Sequence, residues 1–368
     1  MSNGVQHFQQ QTEFKEKDPP SWKKLLGASI TDAETLSKVC SHALNVEELK
    51  MVIEKYPMSI NPYYLSLIED VDDPVWKQCI PDIKELTEKE GMEDPLHEEV
   101  DSPVPGLTHR YPDRVLLLVC NQCAMYCRFC TRKRKVGDPH KPITKDQIMR
   151  GIEYIREHTE VRDVLLSGGD PFLLSDSYLE WVLKEVRKIP HVEIIRIGTR
   201  VPCTLPQRVT PELCSILKKY HPLYINVHFN HPNEITEQSR LACEMLADAG
   251  IQLGNQSVLL KGVNDDPKIM KELFHKLLMM RVKPYYLYQA DLVRGTHHFR
   301  TPVKKGLDMI RALRGHTSGM AVPHYIIDSP GGGGKIPLLP DYVQGKEGNK
   351  LILTNYECRL FEYYDVEE

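Results

Sequence analysis

From Arg114 onward, short apolar segments alternate with longer amphipathic segments, and this alternation repeats six times along the chain. The apolar segments are RVLLLVC, DVLLSGG, EIIRIGT, YINVHF, QLGNQSVLL and KPYYLYQ. Segments that are apolar on both faces are typical of parallel strands covered by helices. We therefore predict an α/β fold, and six β/α units favour a partial (β/α)6 TIM-like barrel over a closed eightfold one. A flat, doubly wound parallel sheet is the main structural alternative.

The chain around this core divides into four predicted parts. Residues 1–20 are polar and predict a disordered arm, and residues 21–106 predict an N-terminal helical region with a Pro-rich crossing segment. Residues 107–317 form the predicted barrel. Residues 318–368 form a short C-terminal α/β extension with two more short strands. In both candidate sheets the site lies at the C-terminal ends of the strands, so the residues that follow each strand are the ones to examine.

The composition excludes several classes of protein. A net charge of −4 gives no reason to expect nucleic acid or an anionic membrane as a partner. No stretch approaches the roughly 20 apolar residues of a membrane span, and the polar N-terminus does not resemble a signal peptide, so we expect a cytoplasmic protein. The ten cysteines are then predicted to be free thiols, and six of them to be small buried hydrophobic residues: Cys40, Cys79, Cys203, Cys214, Cys243 and Cys358.

The stretch CAMYCRFC places Cys123, Cys127 and Cys130 directly after the first predicted strand. Thiolates bind soft metals and iron–sulfur clusters, whereas tetrahedral zinc requires four ligands, commonly supplied as paired C-x2-C units. The sequence has one C-x3-C-x2-C and no second pair nearby. Three thiolates on a four-iron cluster would leave one iron open for a substrate or cofactor. The alternative is a zinc knuckle, with a fourth ligand from His109, His140 or Cys120.

The stretch DSPGGGGKIP, residues 328–337, ends a run of four glycines at Lys335. Glycines let a backbone approach a ligand closely and adopt positive φ. A lysine held near a cofactor forms a Schiff base with an aldehyde once its pKa is lowered. The alternative is a mobile surface loop with a solvated lysine, and spacing alone leaves both open. A P-loop is excluded, because GGGGK lacks the G-x4-G-K-[ST] spacing.

Two carboxylates follow predicted strands, Asp291 in YQADLVRG and Asp328 in YIIDSPGG. Paired carboxylates in one site serve acid/base chemistry or bind a cation. The structural alternatives are a helix cap for Asp291 and a turn for Asp328.

The cysteine stretch resembles the C-x3-C-x2-C signature of radical SAM enzymes, and HRYPDRVLLLVCNQCAMYCRFCTRKR resembles the lysine 2,3-aminomutase family in particular. The resemblance continues through LLSGGDP, RIGTRVP, VHFNHPNEIT and DSPGGGGK and covers most of the chain. It implies a radical SAM barrel in which Cys123, Cys127 and Cys130 hold a [4Fe-4S] cluster whose open iron binds S-adenosylmethionine. The residues that it implies for S-adenosylmethionine are Gly168, Gly169, Asp170, His228 and Gln256, with Arg200 as a further candidate.

The resemblance also implies a second cofactor, pyridoxal 5'-phosphate. Lys335 matches the lysine that carries this cofactor in the family. Arg110, Tyr111 and Arg114, in HRYPDR, match the family positions that hold the pyridoxal group.

The substrate that the resemblance implies is L-lysine. Asp291 and Asp328 match the aspartates that bind its ε-ammonium, and Arg132 matches the arginine that pairs with its α-carboxylate. Tyr288, on the strand leading to Asp291, is predicted to line the same pocket. The basic residues beside Arg132 are predicted to form a solvated face: Lys133, Arg134 and Lys135.

The implied reaction moves the amino group of L-lysine from C2 to C3 and gives β-lysine. One electron enters the cluster, and cleavage of S-adenosylmethionine gives a 5'-deoxyadenosyl radical that removes hydrogen from the β-carbon. Nitrogen then migrates while pyridoxal phosphate supplies the π-system, so the protein is expected to be an isomerase. The electron implies a reducing partner such as flavodoxin or ferredoxin.

The sequence departs from the family in one respect. Clostridial-type members carry a C-terminal cysteine cluster that binds zinc and joins subunits. This chain has only Cys358 near its end, and Asp266 stands where the partner cysteine is expected. The structural zinc is therefore expected to be absent, while a homodimer stays compatible with the sequence.

Three other functions stay open. An arginine 2,3-aminomutase would use the same aspartate pair for a guanidinium group. A second enzymatic alternative is the branch that makes β-lysine for modifying elongation factor P. A zinc-bound structural or nucleic-acid-binding protein belongs to a different class, although the basic run TRKRK is short and the net charge is unfavourable for it.

Overall fold

The computed structural model of the protein describes residues 21–40 and 44–366, so the predicted arm, residues 1–20, lies outside the described residues. The helices before the first strand are α1 Trp22–Gly27, α2 Ala33–Val39, α3 Val46–Lys55, α4 Pro62–Leu65, α5 Trp76–Cys79 and α6 Lys84–Thr87. Asn61 begins α4 by accepting a hydrogen bond from Tyr64 N at 3.0 Å. Its amide nitrogen donates to the carbonyl oxygens of Ala124, at 3.0 Å, and Thr204, at 2.8 Å. This helical region is therefore bonded to the loop that carries the cysteines.

A nine-stranded sheet follows, with the strands in the order β1 to β9. The strands are β1 Leu107–Tyr111, β2 Arg114–Cys120, β3 Asp163–Gly168, β4 Ile194–Gly198, β5 Leu223–Val227, β6 Gln252–Leu259, β7 Val282–Gln289, β8 His324–Ser329 and β9 Gly334–Pro337. Strands β2 to β8 run parallel, and β1 and β9 pair antiparallel at the two edges. Sequential strand order is typical of a barrel, because a doubly wound sheet reverses its order at a switch point. The predicted partial barrel is thus confirmed.

Helices connect the parallel strands and cover the outer face of the sheet. They are α7 Lys145–Glu157, α8 Asp176–Arg187, α9 Val201–Thr204, α10 Pro211–Leu217, α11 Glu237–Asp248, α12 Pro267–Met279 and α13 Val303–Leu313. Thr144 caps α7 in a reciprocal capping box with Gln147, which satisfies two otherwise unpaired backbone donors. Asp266, the residue for which the resemblance led us to expect a cysteine, caps α12 by accepting a hydrogen bond from Lys268 N at 2.7 Å.

The structure adds strands that the sequence pattern did not predict. The six predicted strands are present, and β8 extends the sheet as a further parallel strand beside β7. The expectation of two short strands in the C-terminal part was wrong: it holds β8, β9 and a separate antiparallel sheet of β10 Val343–Glu347, β11 Lys350–Thr354 and β12 Leu360–Tyr364. No helix follows β8 in the chain; the next element is the antiparallel strand β9. The four-part division of the chain stays a prediction.

Side chains alternate between two environments along each parallel strand. In β3 the outward residues Val164 and Leu166 are fully buried under the helices, whereas Leu165 and Ser167 point inward and are half-buried. The inward set lines a cavity. This alternation follows from the period of two in a strand, and it places side chains from within the strands, as well as after them, in the site.

All ten cysteines are free thiols, as predicted. Five of the six scattered ones are buried, but Cys358 is exposed in the turn before β12, so its predicted burial was wrong. Across residues 21–40 and 44–366, no helix combines the length and the hydropathy needed to cross a membrane.

Candidate active site

A cavity of about 720 Å³ lies against the inner face of the sheet. Every predicted site residue lines it: Arg110, Tyr111, Arg114, Cys123, Cys127, Cys130, Arg132, Gly168, Gly169, Asp170, His228, Gln256, Tyr288, Asp291, Asp328 and Lys335. These residues come from β1, β2, the loop after β2, and the ends of β3, β5, β6, β7, β8 and β9. The structure thus brings together residues that are more than two hundred positions apart in the chain. The individual roles given above for these residues stay predictions.

The cysteine loop, residues 123–130, is clamped against the N-terminal helical region. Tyr126 N donates to Ser59 O at 3.0 Å, and Arg128 N donates to Gln78 O at 2.9 Å. The fully buried side chain of Arg128 forms two bonds with Glu85, Nε to Oε1 at 2.9 Å and Nη2 to Oε2 at 2.6 Å. The position of the three thiols is therefore fixed from outside the barrel.

Lys133 joins the same buried charge cluster, so the predicted solvated basic face was wrong for this residue. Its ammonium lies 2.5 Å from Glu85 Oε2 and donates to the carbonyl oxygens of Arg128 and Gly295. Burial lowers the pKa of Lys133 to about 8, although the carboxylate of Glu85 opposes that shift. Arg134 is also paired, with Asp94 at 2.8 Å.

The three thiols fit an iron–sulfur cluster better than a single metal ion. Within the described residues, no three His, Cys, Asp or Glu side chains converge closely enough to hold one ion. In a four-iron cluster each cysteine ligates a different iron, so its ligands need not converge on one point. Burial raises the pKa of Cys130 to about 11 and that of Cys123 well above its usual value, so cluster assembly must displace protons. The ring of His109, proposed above as a zinc ligand, instead pairs with the Tyr154 hydroxyl at 2.8 Å.

Arg200 lies beside the cysteine loop. Its Nη1 donates to Sγ of Cys127 at 2.7 Å, and its Nη2 donates to Gln78 at 2.6 Å and to Glu234 at 2.8 Å. Its Nε is buried and has no hydrogen-bond partner in the described residues. A buried guanidinium against a cluster thiol is well placed to stabilise negative charge on that sulfur.

Gly168, the last residue of β3, and the following Gly169 fit tightly against residues 120–122, which lead into the cysteine loop. A Cβ on Gly168 would lie 2.1 Å from Cys120 O, and a Cβ on Gly169 would lie 2.2 Å from Gln122 O. Gly168 also has φ of 135°, a conformation that other residues rarely adopt. These glycines therefore allow the ends of β2 and β3 to approach closely.

Asp170 has its carboxylate saturated by protein donors. It accepts from Thr199 Oγ1 at 2.6 Å and from the backbone nitrogens of Arg200, at 2.7 Å, Phe172 and Val201, at 3.1 Å each. These bonds tie the end of β3 to the end of β4. The predicted contact with S-adenosylmethionine would therefore be made by a rigidly held group.

His228, directly after β5, and Gln256, within the neighbouring strand β6, lie on the wall of the cavity. Nε2 of His228 is 3.2 Å from Oδ1 of Asn230, and its ring lies 5.7 Å from that of Phe129, next to the cysteines. Burial, followed by the charge of Arg200, lowers the pKa of His228 well below its usual value, so this imidazole is neutral at pH 7. Gln256 follows an irregularity in the pairing of β6 with β7.

Lys335 and Asp328 face each other across the hairpin of β8 and β9, where they are paired in register. The ammonium nitrogen of Lys335 is 2.9 Å from Oδ2 of Asp328, and its backbone N–H donates to the Tyr111 hydroxyl at 2.9 Å. The connecting turn contains Gly331 and Gly332 at φ of 78° and 79°, which glycine adopts without strain. The glycine run thus builds a tight turn that points Lys335 into the cavity.

The three cationic groups at this end of the cavity fit pyridoxal phosphate. Arg110 donates from Nε to Asp101 at 2.8 Å and lies 3.5 Å from Asp328 through Nη1. The guanidinium of Arg114 lies 3.8 Å from the centre of the Tyr111 ring. A primary amine beside two guanidinium groups suits an aldehyde that carries a phosphate.

Asp291 lies on the same cavity as Asp328, after β7. Thr131 Oγ1 donates to its Oδ2 at 2.9 Å. Burial, together with the nearby charge of Asp328, raises the pKa of Asp291 to about 7, although the hydrogen bond from Thr131 opposes that shift. The ring of Tyr288 lies 5.9 Å from the Lys335 ammonium and closes this part of the cavity. Lys335 and Arg110 both lie against Asp328. The described polar contact of Asp291 is instead a neutral hydroxyl, so Asp291 is the carboxylate left for a cationic ligand.

Arg132 is held by a carboxylate that the sequence reading missed. Its Nε lies 2.9 Å from Glu98 Oε1, and its Nη2 lies 2.7 Å from the same oxygen. Burial opposes ionisation of Glu98, but the charge and hydrogen bond of Arg132, with the charges of Lys135 and Arg134, lower its pKa below the usual value. Glu98 and Glu85 lie in segments without a recognisable motif, so no signal in the sequence marks them. Thr131 directly follows Cys130 of the cysteine loop, but its contact with Asp291 could not be read from that position.

Comparisons with known proteins agree with this site. A family model described as "Radical SAM superfamily" matches residues 117–273, and one described as "Lysine-2,3-aminomutase" matches residues 310–368. The chain is 56% identical to an L-lysine 2,3-aminomutase of Acetoanaerobium sticklandii over 352 residues, which cover 95% of this chain and 85% of that protein. It is 54% identical to an L-lysine 2,3-aminomutase of Clostridium subterminale, with the same coverage of both chains.

A relative with a different named substrate is also similar. The chain is 48% identical to a glutamate 2,3-aminomutase of Clostridioides difficile, over 95% of this chain and 84% of that protein. Identity at this level over almost the whole length leaves the family unambiguous. The chain belongs to the lysine 2,3-aminomutase family of radical SAM enzymes.

Proposed function

We propose that this protein is an isomerase that moves the amino group of L-lysine from C2 to C3 and forms L-β-lysine. The observation that carries the proposal is the aspartate pair, Asp291 and Asp328, in the same cavity as the three thiols and Lys335. A substrate with a cationic side chain neutralises this pair, whereas the carboxylate of glutamate would be repelled by it. The names of the two relatives that are 54–56% identical support the same substrate.

The proposed cofactor sites follow the residues that line the cavity. Cys123, Cys127 and Cys130 hold the [4Fe-4S] cluster, with S-adenosylmethionine against Gly168, Gly169, Asp170, His228 and Gln256, and pyridoxal phosphate on Lys335 beside Arg110, Tyr111 and Arg114. When bound, these groups supply a radical that removes hydrogen from C3 and a π-system through which nitrogen migrates.

The residues of the chain itself bind, orient and shield the substrate. Asp291 and Asp328 anchor the ε-ammonium, while Arg132 anchors the α-carboxylate, so the reacting carbons are held between two fixed ends. Asp328 accepts a hydrogen bond from the Lys335 ammonium, and it becomes available to the substrate when Lys335 no longer presents its charge. Tyr288 and Phe299 line the cavity with apolar surface that limits access of water.

The function is tested with protein purified without oxygen and reconstituted with iron, sulfide and pyridoxal phosphate. Dithionite supplies the electron, S-adenosylmethionine is added, and L-lysine, L-arginine and L-glutamate are assayed separately for their β-isomers by chromatography. We expect β-lysine as the main product. β-Arginine as the main product would keep the reaction and overturn the substrate. An intact cluster with bound pyridoxal and no isomer from any of the three would overturn the proposal.

We further propose a homodimer formed through the separate sheet of β10, β11 and β12. One face of this sheet is apolar and exposed, since the opposed pairs Leu351–Tyr363 and Leu353–Phe361 lie on it together. The exposed fractions of Phe361 and Tyr363 are 51% and 58%. A face of this kind on a sheet outside the core is typical of an interface between copies.

The physiological electron donor is proposed to be a small reducing protein such as flavodoxin or ferredoxin. The proposed location is the cytoplasm, where cysteines that are free and partly accessible stay reduced. The first proposal is tested by mixing the reconstituted protein with each purified, reduced donor and measuring the absorbance of the cluster, which decreases when the cluster is reduced. Cell fractionation with an antibody against the protein tests the second.

A further inference from the structure

The segment of residues 92–101, here called the strap, contacts the segments that follow β7 and β8 and the two arginines Arg110 and Arg132. Met92 bonds through its backbone to Leu292 O at 2.7 Å and Arg294 N at 3.0 Å, directly after Asp291. Pro95 O accepts from Gly331 N, in the turn before Lys335, at 3.0 Å. The strap thus bonds to the segment after β7 and to the turn between β8 and β9, which lie far from it in the sequence.

Two carboxylates of the strap reach the arginines of the site. Asp101 accepts from Nε of Arg110 at 2.8 Å, and Glu98 accepts from Nε of Arg132 at 2.9 Å. The side chain of Glu98 is 8% exposed and that of Arg132 is 18% exposed. A buried carboxylate that faces a buried guanidinium inside a ligand cavity is costly to desolvate, so it requires a close and specific geometry.

Glu98 occupies only one edge of the Arg132 guanidinium. Both of its oxygens face Nε, at 2.9 Å and 3.2 Å, and Oε1 also faces Nη2 at 2.7 Å. The remaining nitrogen, Nη1, has only the longer contacts with Ser167 Oγ at 3.2 Å and Gly168 O at 3.5 Å. The Nη1 side is therefore the one left for a second carboxylate.

We infer that Glu98 is the positioning residue of the substrate-carboxylate site: it holds Arg132 by the Nε edge and presents the opposite edge to the α-carboxylate. This inference rests on the proposed function and deepens it. An arginine side chain loses rotamer freedom when it binds a ligand, and a partner that fixes it beforehand removes part of that cost. Glu98 acts through Arg132 and does not itself touch the substrate.

The test compares Glu98→Gln with Glu99→Gln in the reconstituted holoenzyme. Glu99 is the adjacent residue, its side chain is 63% exposed, and it pairs with Arg134 and Lys135 outside the proposed site. A glutamine at position 98 accepts one hydrogen bond, but its NH2 group faces the donors of Arg132, so the anchor is weakened. We expect KM for L-lysine to rise roughly tenfold or more in Glu98→Gln, with a smaller change in kcat and no change in Glu99→Gln.

A ligand without a carboxylate separates positioning from general damage to the fold. 1,5-Diaminopentane keeps the ammonium that the aspartates bind but has nothing for Arg132 to hold. Its inhibition constant is expected to be the same, within about twofold, in Glu98→Gln and in the wild-type enzyme. Glu98→Asp, which keeps the charge and loses one methylene, is expected to raise KM less than Glu98→Gln does.

Two outcomes would overturn the inference. One is a KM for L-lysine in Glu98→Gln that lies within twofold of the KM in Glu99→Gln. The other is a rise in the inhibition constant of 1,5-diaminopentane, relative to the wild-type enzyme, by the same factor as the rise in KM for L-lysine. If Glu98→Gln does not fold, Glu98→Asp with the same pair of ligands decides. A wild-type holoenzyme that forms no β-lysine overturns the proposed function instead, and calorimetric binding of the two ligands then tests Glu98 separately.

Discussion

At the scale of single residues, the charges of the site are compensated in pairs. Lys335 pairs with Asp328, Arg132 pairs with Glu98, and Arg110 pairs with Asp101. A ligand that carries both an ammonium and a carboxylate would take the place of Lys335 at Asp328, while Arg132 keeps Glu98 and uses its Nη1 side for the carboxylate. Such a ligand does not have to strip water from isolated buried charges. Asp291 is different, because its described polar contact is a neutral hydroxyl, that of Thr131.

The first prediction follows from Asp291. Its pKa is raised to about 7, chiefly by burial, so the group is ionised above pH 7 and neutral below it. Lysine binding needs the ionised form, and kcat/KM for L-lysine is therefore expected to fall about tenfold per pH unit as the pH drops below 7. Rates measured at substrate concentrations below KM, between pH 5.5 and pH 9, check this.

Asp291→Asn provides the control for that profile. The amide does not titrate, so the fall below pH 7 that comes from this group is expected to disappear. The variant also leaves the substrate ammonium without one buried partner, which raises KM by roughly a hundredfold at pH 8. An unchanged pH profile in Asp291→Asn would assign the titration to a different group.

At the scale of structural elements, the cysteine loop is held from two sides. The glycines at the end of β3 pack against residues 120–122 from inside the sheet. The buried cluster of Glu85, Arg128 and Lys133 holds the loop against the N-terminal helical region. Each side is tested by its own prediction.

The second prediction is that Gly168→Ala lowers the iron content after reconstitution. The new Cβ would lie 2.1 Å from Cys120 O, and the φ of 135° is unfavourable for alanine, so the start of the cysteine loop must move. Iron and sulfide analysis per protein chain is the measurement. Gly319→Ala is the control, because nothing lies within 4 Å of its Cβ position. Equal iron content in both variants would contradict the role given to Gly168.

The third prediction is that Glu85→Ala lowers the free energy of unfolding by about 3–5 kcal/mol, because it leaves Arg128 and Lys133 buried without a counter-charge. Urea denaturation followed by circular dichroism measures the change. Glu47→Ala removes an ion-pair partner that is 80% exposed, and its effect is expected to stay within about 0.5 kcal/mol. A loss below about 1 kcal/mol in Glu85→Ala would be incompatible with a buried charge cluster.

At the scale of the whole molecule, the barrel and the separate C-terminal sheet have different roles. The barrel buries its outer face under helices and keeps a cavity on its inner face. The sheet of β10 to β12 instead exposes apolar side chains. In the proposed homodimer, burial of this apolar face would supply the association energy.

The fourth prediction concerns this sheet. The double variant Phe361→Glu with Tyr363→Glu places two like charges on its apolar face and is expected to convert a dimer into a monomer. Analytical ultracentrifugation of the wild-type and variant proteins at the same concentration measures the change in mass. Glu362→Gln, on the opposite face of β12, is the control and is expected to leave the mass unchanged. A wild-type protein that sediments as a monomer would contradict the proposed homodimer.

Sequence patterns predicted the sheet well where each strand is followed by its own helix. β8 is followed by the glycine turn and the strand β9, not by a helix. The strand–helix alternation therefore did not identify β8 as part of the barrel, and it was assigned to the C-terminal extension. The site residues in motifs were likewise found from the sequence, and all of them line one cavity. Lys133 was read as solvated, because nothing local shows that Glu85, almost fifty positions earlier, lies against it.

The sequence by itself determined the alternation of strands and helices and the three-thiol motif, because these depend on short spacings and residue types. Spacing left the roles of Asp291, Asp328 and Lys335 open, and only the family resemblance grouped them in one site. Only the tertiary structure decided which charges meet. The pairs Glu98–Arg132, Glu85–Arg128 and Arg200–Cys127 join segments that are 34, 43 and 73 positions apart. Such pairs form where packing of the barrel against the strap and the helical region excludes water, and no local pattern encodes that closeness.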